Sequence, residues 1–171
     1  MLTLHRLNLG YRFLYTGVLL FMTAGTVVHG VHQHARAGIL PDHVAAWYRG
    51  NADDPAATVL LFPRPLEEVV ADVWLTLTTY TFALLIFGAI LYRSDAAPTT
   101  RAALITAYAL GGLAAAAAPP LIRYVSPRFA LLDSAAFLVL PALALVMTAL
   151  ALRDMWLRRA AGPRVDPGRA V

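Results

Sequence analysis

The fold of this chain is decided by stretches such as FALLDSAAFLVLPALALVMTALAL, residues 129–152, in which Asp133 is the only charged side chain. A helix needs roughly 20 apolar residues to cross about 30 Å of hydrocarbon. Three further runs of this kind lie at residues 11–31, 73–92 and 102–122. The pattern predicts an all-α fold, an integral membrane four-helix bundle surrounded by the lipid bilayer.

The composition supports a membrane protein and excludes several other classes. Of the 171 residues, 59% are hydrophobic and 14% are charged, whereas soluble domains average roughly 45–50% and about 25%. The chain has no Cys, which excludes disulfides, thiolate metal sites and a Cys nucleophile. It also has no Lys to complete a phosphate-binding GxxxxGK[ST] loop. We therefore expect neither an enzyme acting alone nor a nucleic-acid partner.

The first apolar run has a second interpretation, because Arg6 and Arg12 precede it as they would precede a secretory signal. A signal peptide has an apolar region of about 7–15 residues and a following A-x-A cleavage site. This run is longer and lacks a convincing site of that kind. The sequence favours a retained spanning helix.

The arginines predict the orientation of the bundle. Arg6, Arg12, Arg93, Arg101, Arg153, Arg158, Arg159, Arg164 and Arg169 flank one side, and Arg36, Arg49, Arg64, Arg123 and Arg128 flank the other. Because positive residues concentrate on the cytoplasmic side, both termini are predicted to be cytoplasmic, in a bacterial inner membrane. Residues 1–159 then form a single four-span domain, and residues 160–171 form a disordered cytoplasmic tail.

One long outer loop, residues 32–72, is unusually acidic. It contains six of the ten acids in the chain. A short interfacial helix is predicted at residues 41–48, because Pro stands at its start and Gly follows it. Its Val44, Trp47 and Tyr48 are predicted to lie on the membrane surface.

Small residues repeat every four positions in the third span, at Ala103, Ala107, Gly111 and Ala115. Such a stripe lets a neighbouring helix approach closely, although base composition alone is an alternative explanation. The prolines of the third and fourth spans are predicted to end, bend or kink their helices; they are Pro119, Pro120 and Pro141.

Asp133 is costly inside a membrane unless a cation neutralises it. Arg123 and Arg128 lie across the short turn between the third and fourth spans. An ion pair between Asp133 and Arg123 that closes this hairpin is the favoured interpretation, and a proton relay is the alternative.

Histidine supplies the sharpest candidate for chemistry. His29, His32 and His34 lie together at the outer end of the first span, and His43 follows in the loop. Imidazole binds Zn, Cu and haem iron, so the cluster is a candidate site for haem or a divalent metal. Asp53 and Asp54 could add oxygen ligands. The alternative is a solvated, interfacial cluster, and the absence of His from the other three spans argues against a haem clamped between helices.

Hydroxyl groups form a polar stripe in the second span, at Thr76, Thr78, Thr79, Tyr80 and Thr81. Hydroxyls in hydrocarbon usually bond to their own helix or to a neighbouring one. Structural packing is therefore the favoured role, and a quinone or small polar substrate bound at Tyr80 is the alternative.

Four short motifs stand out: Trp47-Tyr48-Arg49-Gly50-Asn51, Phe62-Pro63-Arg64-Pro65-Leu66-Glu67-Glu68, Leu121-Ile122-Arg123-Tyr124-Val125-Ser126-Pro127 and Asp154-Met155-Trp156. Through them the chain resembles, over roughly residues 10–156, a family of small, uncharacterised four-helix bacterial inner-membrane proteins. The resemblance implies a His-x-His pair at the start of the second helix, where this chain has Trp74 and Thr76. This departure weakens any metal or haem role carried over from the family.

The sequence thus leads to two functional hypotheses of different classes. The first is a non-enzymatic accessory or anchor subunit that associates with other membrane subunits or with itself, near a respiratory or electron-transfer complex. The second is a membrane protein that binds a metal or haem through its His cluster. A transporter is disfavoured, because buried charges are few and no internal repeat is evident.

Overall fold

The computed structural model describes residue 4 and residues 7–157 of the chain. Its helices are α1 (Leu9–Ala37), α2 (Pro41–Arg49), α3 (Leu66–Tyr92), α4 (Pro98–Tyr124) and α5 (Ala130–Leu152), with a 3-10 turn at Pro127–Phe129 and a π-helical turn at Arg153–Leu157. These residues contain no strand. The predicted tail, residues 160–171, and five of the arginines used for orientation lie outside the described residues.

Four of these helices, all except α2, are long and apolar enough to cross a membrane. The predicted all-α architecture with four spans is therefore confirmed. The orientation of the termini stays a prediction.

Helix α1 continues six residues beyond the predicted span and ends at Ala37. The chain stops being helical at Gly38, which has φ 84° and whose N–H donates to the carbonyl of His34. A Cβ atom on Gly38 would lie 2.8 Å from the Cβ atom of His43, so glycine allows both the turn and the close approach. As a result, His32 lies within a helix rather than in the predicted loop.

Helix α4 does not end at its prolines. Pro119 and Pro120 both lie inside the helix, which continues to Tyr124, and Pro141 lies inside α5 in the same way. Each proline removes one backbone donor, and membrane helices tolerate this loss because neighbouring helices protect the freed groups from lipid. Pro119 is buried in this structure.

Helix α4 lies between α3 and α5, and α1 packs mainly on α5. Tyr108 of α4 occupies the centre of the bundle, and its ring centroid lies 6.0 Å from that of Tyr80 and 5.7 Å from that of Phe87. Hydroxyl contacts join the middle of α1 to α5 and to α4. Thr23 bonds to Thr148 at 2.7 Å, and the Tyr108 hydroxyl lies 3.3 Å from that of Thr26.

The predicted small-residue stripe is divided between the inside and the outside of the bundle. Ala115 is buried and Gly111 faces Leu140 of α5, whereas Ala103 and Ala107 are exposed. A spacing of four residues drifts by about 40° per step around a helix of 3.6 residues per turn. The stripe therefore leaves the buried face, whose residues are Tyr108, Gly112, Ala115, Ala116, Ala118, Pro119 and Ile122.

The sequence predicted that the apolar side of α2 lies on the membrane surface. In the structure this side packs against the bundle instead. Val44 and Tyr48 are 1% and 3% exposed, and they belong to a second apolar cluster with Ile122 of α4 and Ala130 of α5. Trp47 is half-buried against the same cluster. The ends of the spanning helices form an apolar surface, and the apolar side of the amphipathic helix α2 covers it.

The stripe yields a stability prediction. Gly111→Leu should lower the unfolding free energy by about 1–3 kcal/mol, because a Cβ atom there would already lie 3.0 Å from Leu140 and overpacking carries that cost. Ala107→Leu, on the same predicted stripe but exposed, is the matched control and should leave stability unchanged. Thermal and denaturant unfolding in detergent measure both variants. Equal effects at the two positions would contradict this packing.

Candidate functional site

The end of the bundle that carries α2 is closed by a cap, which we define as α2 together with residues 50–65. Backbone and arginine hydrogen bonds fix it in place. The N–H of Arg64 donates to the carbonyl of Tyr48 at 3.1 Å. Arg49 donates to the carbonyl of Ile122 at 3.2 Å, and Arg123 donates to the carbonyl of Arg64 at 3.1 Å. The cap is thus bonded both to itself and to the end of α4.

Trp47 of the cap lies close to two arginines. The guanidinium carbon of Arg64 is 3.6 Å from the centroid of the Trp47 ring system, and that of Arg36 is 5.7 Å from it. Arg64 also forms an ion pair with Glu68, four residues further along the chain. Cation–π attraction at such distances contributes about 0.5–2 kcal/mol, depending on how far the pair is desolvated.

Asp72 is the central charged group beneath the cap. Asp72 is only 5% exposed. Its carboxylate accepts hydrogen bonds from Arg36 at 3.3 Å and from the Tyr48 hydroxyl at 3.1 Å. One side chain of α3 is therefore bonded to both α1 and α2. Burial raises the pKa of Tyr48 well above its ordinary value, and the negative charge of Asp72 raises it further.

A small cavity with both polar and apolar lining, the cap cavity, lies directly beneath Tyr48 and has a volume of about 40 Å³. All five helices contribute to its wall, and the polar side chains among its lining residues are His29, Gln33, His34, Tyr48, Thr76, Tyr80, Asp133 and Ser134. A bound water needs roughly 10–15 Å³, so the cavity accommodates roughly three waters. A haem or a quinone ring is far larger than this space.

The four candidate histidines do not converge on one point. His29 and His34 line the cap cavity, with their ring centroids 5.5 Å from Tyr80 and 5.3 Å from Phe137. His32 faces the outside of the bundle, and His43 is exposed on α2. Within residue 4 and residues 7–157, no group of three or more His, Cys, Asp or Glu side chains is placed to hold a metal ion.

The acids named with the histidines lie elsewhere. Asp53 and Asp54 line an open recess beside Arg49 and Pro127, which contains none of the candidate histidines. Asn51 organises this part of the loop, because its side chain donates to the carbonyl of Val59 and accepts from the N–H of Leu61. The two acids therefore face solvent on the outer side of the cap.

Asp133 and Arg123 are not brought together. Asp133 lies in the first turn of α5 and faces the cap cavity, whereas Arg123 extends to the backbone of residue 64. Arg128 is exposed. Among the ion pairs between described residues, none includes Asp133. The physical reason is geometric, because Arg123 leaves the end of α4 on the side of the cap.

A second feature, the α1–α3 groove, opens on the outer surface of the bundle and has a volume of about 440 Å³. It is lined by Phe21, Met22, Gly25, Thr26, Val28, His29, His32, Thr79 and Phe82. His29 lines both the groove and the cap cavity. This histidine is therefore shared by the cap cavity and the α1–α3 groove.

Sequence reasoning missed Asp72 and the convergence of the motif segments. Three of the four motifs that stood out, those beginning at Trp47, Phe62 and Leu121, bond to one another in the cap and at its contact with α4. Their Arg, Gly and Pro content was the available signal. Asp72 gave no such signal, because it is the last residue of the acidic loop predicted at residues 32–72.

Comparison with known proteins gives one match. The model of a family described as a transmembrane helical domain matches residues 38–162. No curated protein and no solved structure matches the chain significantly. The matched region begins immediately after α1, so the cap and the helices α3 to α5 belong to it, whereas His29, His32 and His34 lie outside it.

The bond from Tyr48 to Asp72 yields a pH prediction. Tyr48→Phe should lower the unfolding free energy by about 1–3 kcal/mol, the range for a hydrogen bond to a charged group. The raised pKa of Tyr48 keeps its phenol protonated in the folded state, whereas an unfolded tyrosine loses its proton near pH 10. The contribution of the Tyr48 hydroxyl to the unfolding free energy is therefore complete below about pH 10 and declines as the pH rises above this value.

Unfolding of the two proteins between pH 7 and pH 11 measures this difference. The gap between wild type and Tyr48→Phe should be constant at neutral pH and narrow above about pH 10. Tyr11→Phe is the control, because Tyr11 is exposed. A gap of the same size for Tyr11→Phe, or none for Tyr48→Phe, would show that the hydroxyl of Tyr48 does not hold the cap.

Proposed function

The chain belongs to the family of transmembrane helical domains, and we propose that it acts as a non-enzymatic membrane subunit, whose α1–α3 groove binds a transmembrane helix of a partner protein. The proposed setting is the bacterial inner membrane. The partner expected from the sequence is a subunit of a respiratory or electron-transfer complex. One observation supports the proposal. Three contacts between helices of the bundle are closely packed at a glycine, whereas the contact between α1 and α3 is not.

Three seams between neighbouring helices are packed at a glycine. A Cβ atom on Gly30 would lie 3.3 Å from Phe137 across the α1–α5 seam, one on Gly111 would lie 3.0 Å from Leu140 across the α4–α5 seam, and one on Gly112 would lie 3.1 Å from Tyr80 across the α3–α4 seam. At the α1–α3 seam, Gly25 has no heavy atom within 4 Å of that position. The close packing at a glycine that joins the other helices is therefore absent at Gly25.

The polar side chains of the groove indicate the chemistry of the partner. Lipid tails cannot hydrogen-bond to the side chain of Thr79, so a neighbouring helix with hydrogen-bonding side chains satisfies it better. Phe21 and Phe82, both largely exposed, form apolar walls. From Phe21 to His32 the groove runs roughly 16 Å along α1, about half the thickness of the hydrocarbon. A helix with small residues opposite Gly25 and a polar group opposite Thr79 fits this description.

Filling the groove tests the proposal. Gly25→Leu should reduce co-purification of the partner from native membranes by tenfold or more, because a leucine side chain occupies the place of the incoming helix. Gly17→Leu is the matched control, since Gly17 also lies on α1 and also has no atom within 4 Å of its Cβ position, but does not line the groove. Both variants should retain the unfolding temperature of the wild type.

Crosslinking makes the result specific to the groove. The chain has no Cys, so Gly25→Cys and Gly17→Cys each provide a single thiol for a photoactivatable maleimide. The adduct to a second protein should form at position 25 and not at position 17, and mass spectrometry of that adduct identifies the partner. Equal adducts at both positions, or a product of twice the chain's own mass, would contradict the proposal of a heterologous helix.

The metal or haem hypothesis has no observation in its favour beyond the sequence. The same purified protein tests it directly, through an absorption spectrum and elemental analysis for Zn, Cu and Fe. Stoichiometric metal or a Soret band would favour that hypothesis over the subunit proposed above.

A further inference from the structure

The cap cavity has the size and lining of a site for a very small, hydrogen-bonding ligand. Its volume is about 40 Å³, and it lies between the ends of four spanning helices, with Tyr48 of α2 above it. Larger organic molecules are excluded by this volume. Water and single ions remain as the classes of occupant that fit.

Two buried polar atoms at the cavity have no partner in the described part of the chain. They are the Nδ1 atom of His34 and the Oγ atom of Ser134, and both residues line the cavity. A buried polar group without a hydrogen bond costs about 1–3 kcal/mol. Water or a hydrated ion between them removes this cost.

Backbone oxygens are also freed at this place. Pro119 cannot donate to the carbonyl of Ala115, and Pro141 cannot donate to the carbonyl of Phe137, because proline has no N–H. Ala115 and Phe137 both line the cavity. Two of the spanning helices, both continuous through their prolines, thus each lose one helical donor at a residue that lines the cavity.

The two carboxylates beneath the cap, those of Asp72 and Asp133, differ in whether an arginine neutralises them. Asp72 is neutralised by Arg36 at 3.3 Å. Asp133 lines the cavity and has no ion pair with any described residue. An unneutralised carboxylate within a membrane protein is costly. One positive charge in the cavity balances the charge of Asp133, and the lining side chains offer oxygen ligands of the kind that hard cations prefer.

We propose that the cap cavity binds one small monovalent cation, which is held by the carboxylate of Asp133 and by water on the neighbouring hydroxyl and carbonyl oxygens. A proton and an alkali ion share this chemistry, and the experiment distinguishes them. The titratable and charged groups around the site are His29, His34 and Arg36 of α1, Tyr48 of α2, and Asp72 and Tyr80 of α3. Helix α4 contributes only Ala115 and Pro119 to the wall.

The test uses thermal unfolding of the full chain in detergent. Na⁺ replaces choline at constant ionic strength and constant pH, and the pH is varied separately in choline. Choline is too large for a cavity of this volume. If Na⁺ binds the folded state, the unfolding temperature should rise by about 3–6 °C when Na⁺ reaches ten times its Kd. If a proton binds instead, the rise should occur as the pH falls and be independent of Na⁺.

Asp133→Asn keeps the shape of the side chain and removes its charge. It should abolish the dependence of the unfolding temperature on Na⁺ or, if a proton binds instead, reduce its dependence on pH by the share that Asp133 contributes. Asp42→Asn, which changes an exposed acid of α2, is the control and should keep it. The proposal is overturned if the wild type and Asp133→Asn respond equally to Na⁺ and to pH.

A second measurement does not depend on Asp133. In this cysteine-free chain, Ser134→Cys places one thiol at the cavity. Ag⁺ is a small monovalent cation that forms a sulfur–silver bond while the thiol releases its proton. Intact-mass analysis should show one silver adduct on Ser134→Cys and at most a tenth as much on Thr148→Cys, whose residue is buried in the same helix and bonded to Thr23. Equal amounts of silver adduct at both positions, or no adduct at either, would overturn the proposal that a cation enters the cavity.

Discussion

The buried carboxylate of Asp72 is the constraint on which the cap depends. A charged oxygen beside a lipid-embedded core must be neutralised and hydrogen-bonded, and here Arg36 and Tyr48 supply both requirements. Because these partners come from α1 and α2, satisfying one side chain of α3 brings three helices together. The arrangement also places Tyr48 above the cap cavity and keeps α2 on the end of the bundle.

The rest of the bundle follows the packing rules of membrane helices, which gain little from the hydrophobic effect because lipid tails are as apolar as leucine. Close approach at Gly30, Gly111 and Gly112 and the hydroxyl pair of Thr23 and Thr148 supply contact at three seams. The α1–α3 groove lacks such contact at Gly25. The proposed binding of a partner helix fills this opening between α1 and α3.

The four spans were predictable from sequence because the thickness of the bilayer imposes a length of apolar residues that few other structures require. The cap was not predictable, because its interactions join residues far apart in sequence, such as Arg36 with Asp72 and Arg49 with Ile122. No periodic pattern marks such pairs. The expectation for the small-residue stripe failed in part for a geometric reason, the drift of a four-residue repeat around the helix, which carries Ala107 to the outside.

The central claim is that Asp72 fixes α2 to the bundle, and a distance measurement tests it most directly. Because the chain has no Cys, spin labels can be attached to Asp42→Cys on α2 and Trp74→Cys on α3, both exposed. Pulsed electron resonance should give one narrow distance distribution for this pair. Adding Asp72→Asn should broaden it, whereas adding Asp53→Asn should not. An unchanged narrow distribution with Asp72→Asn would contradict the account.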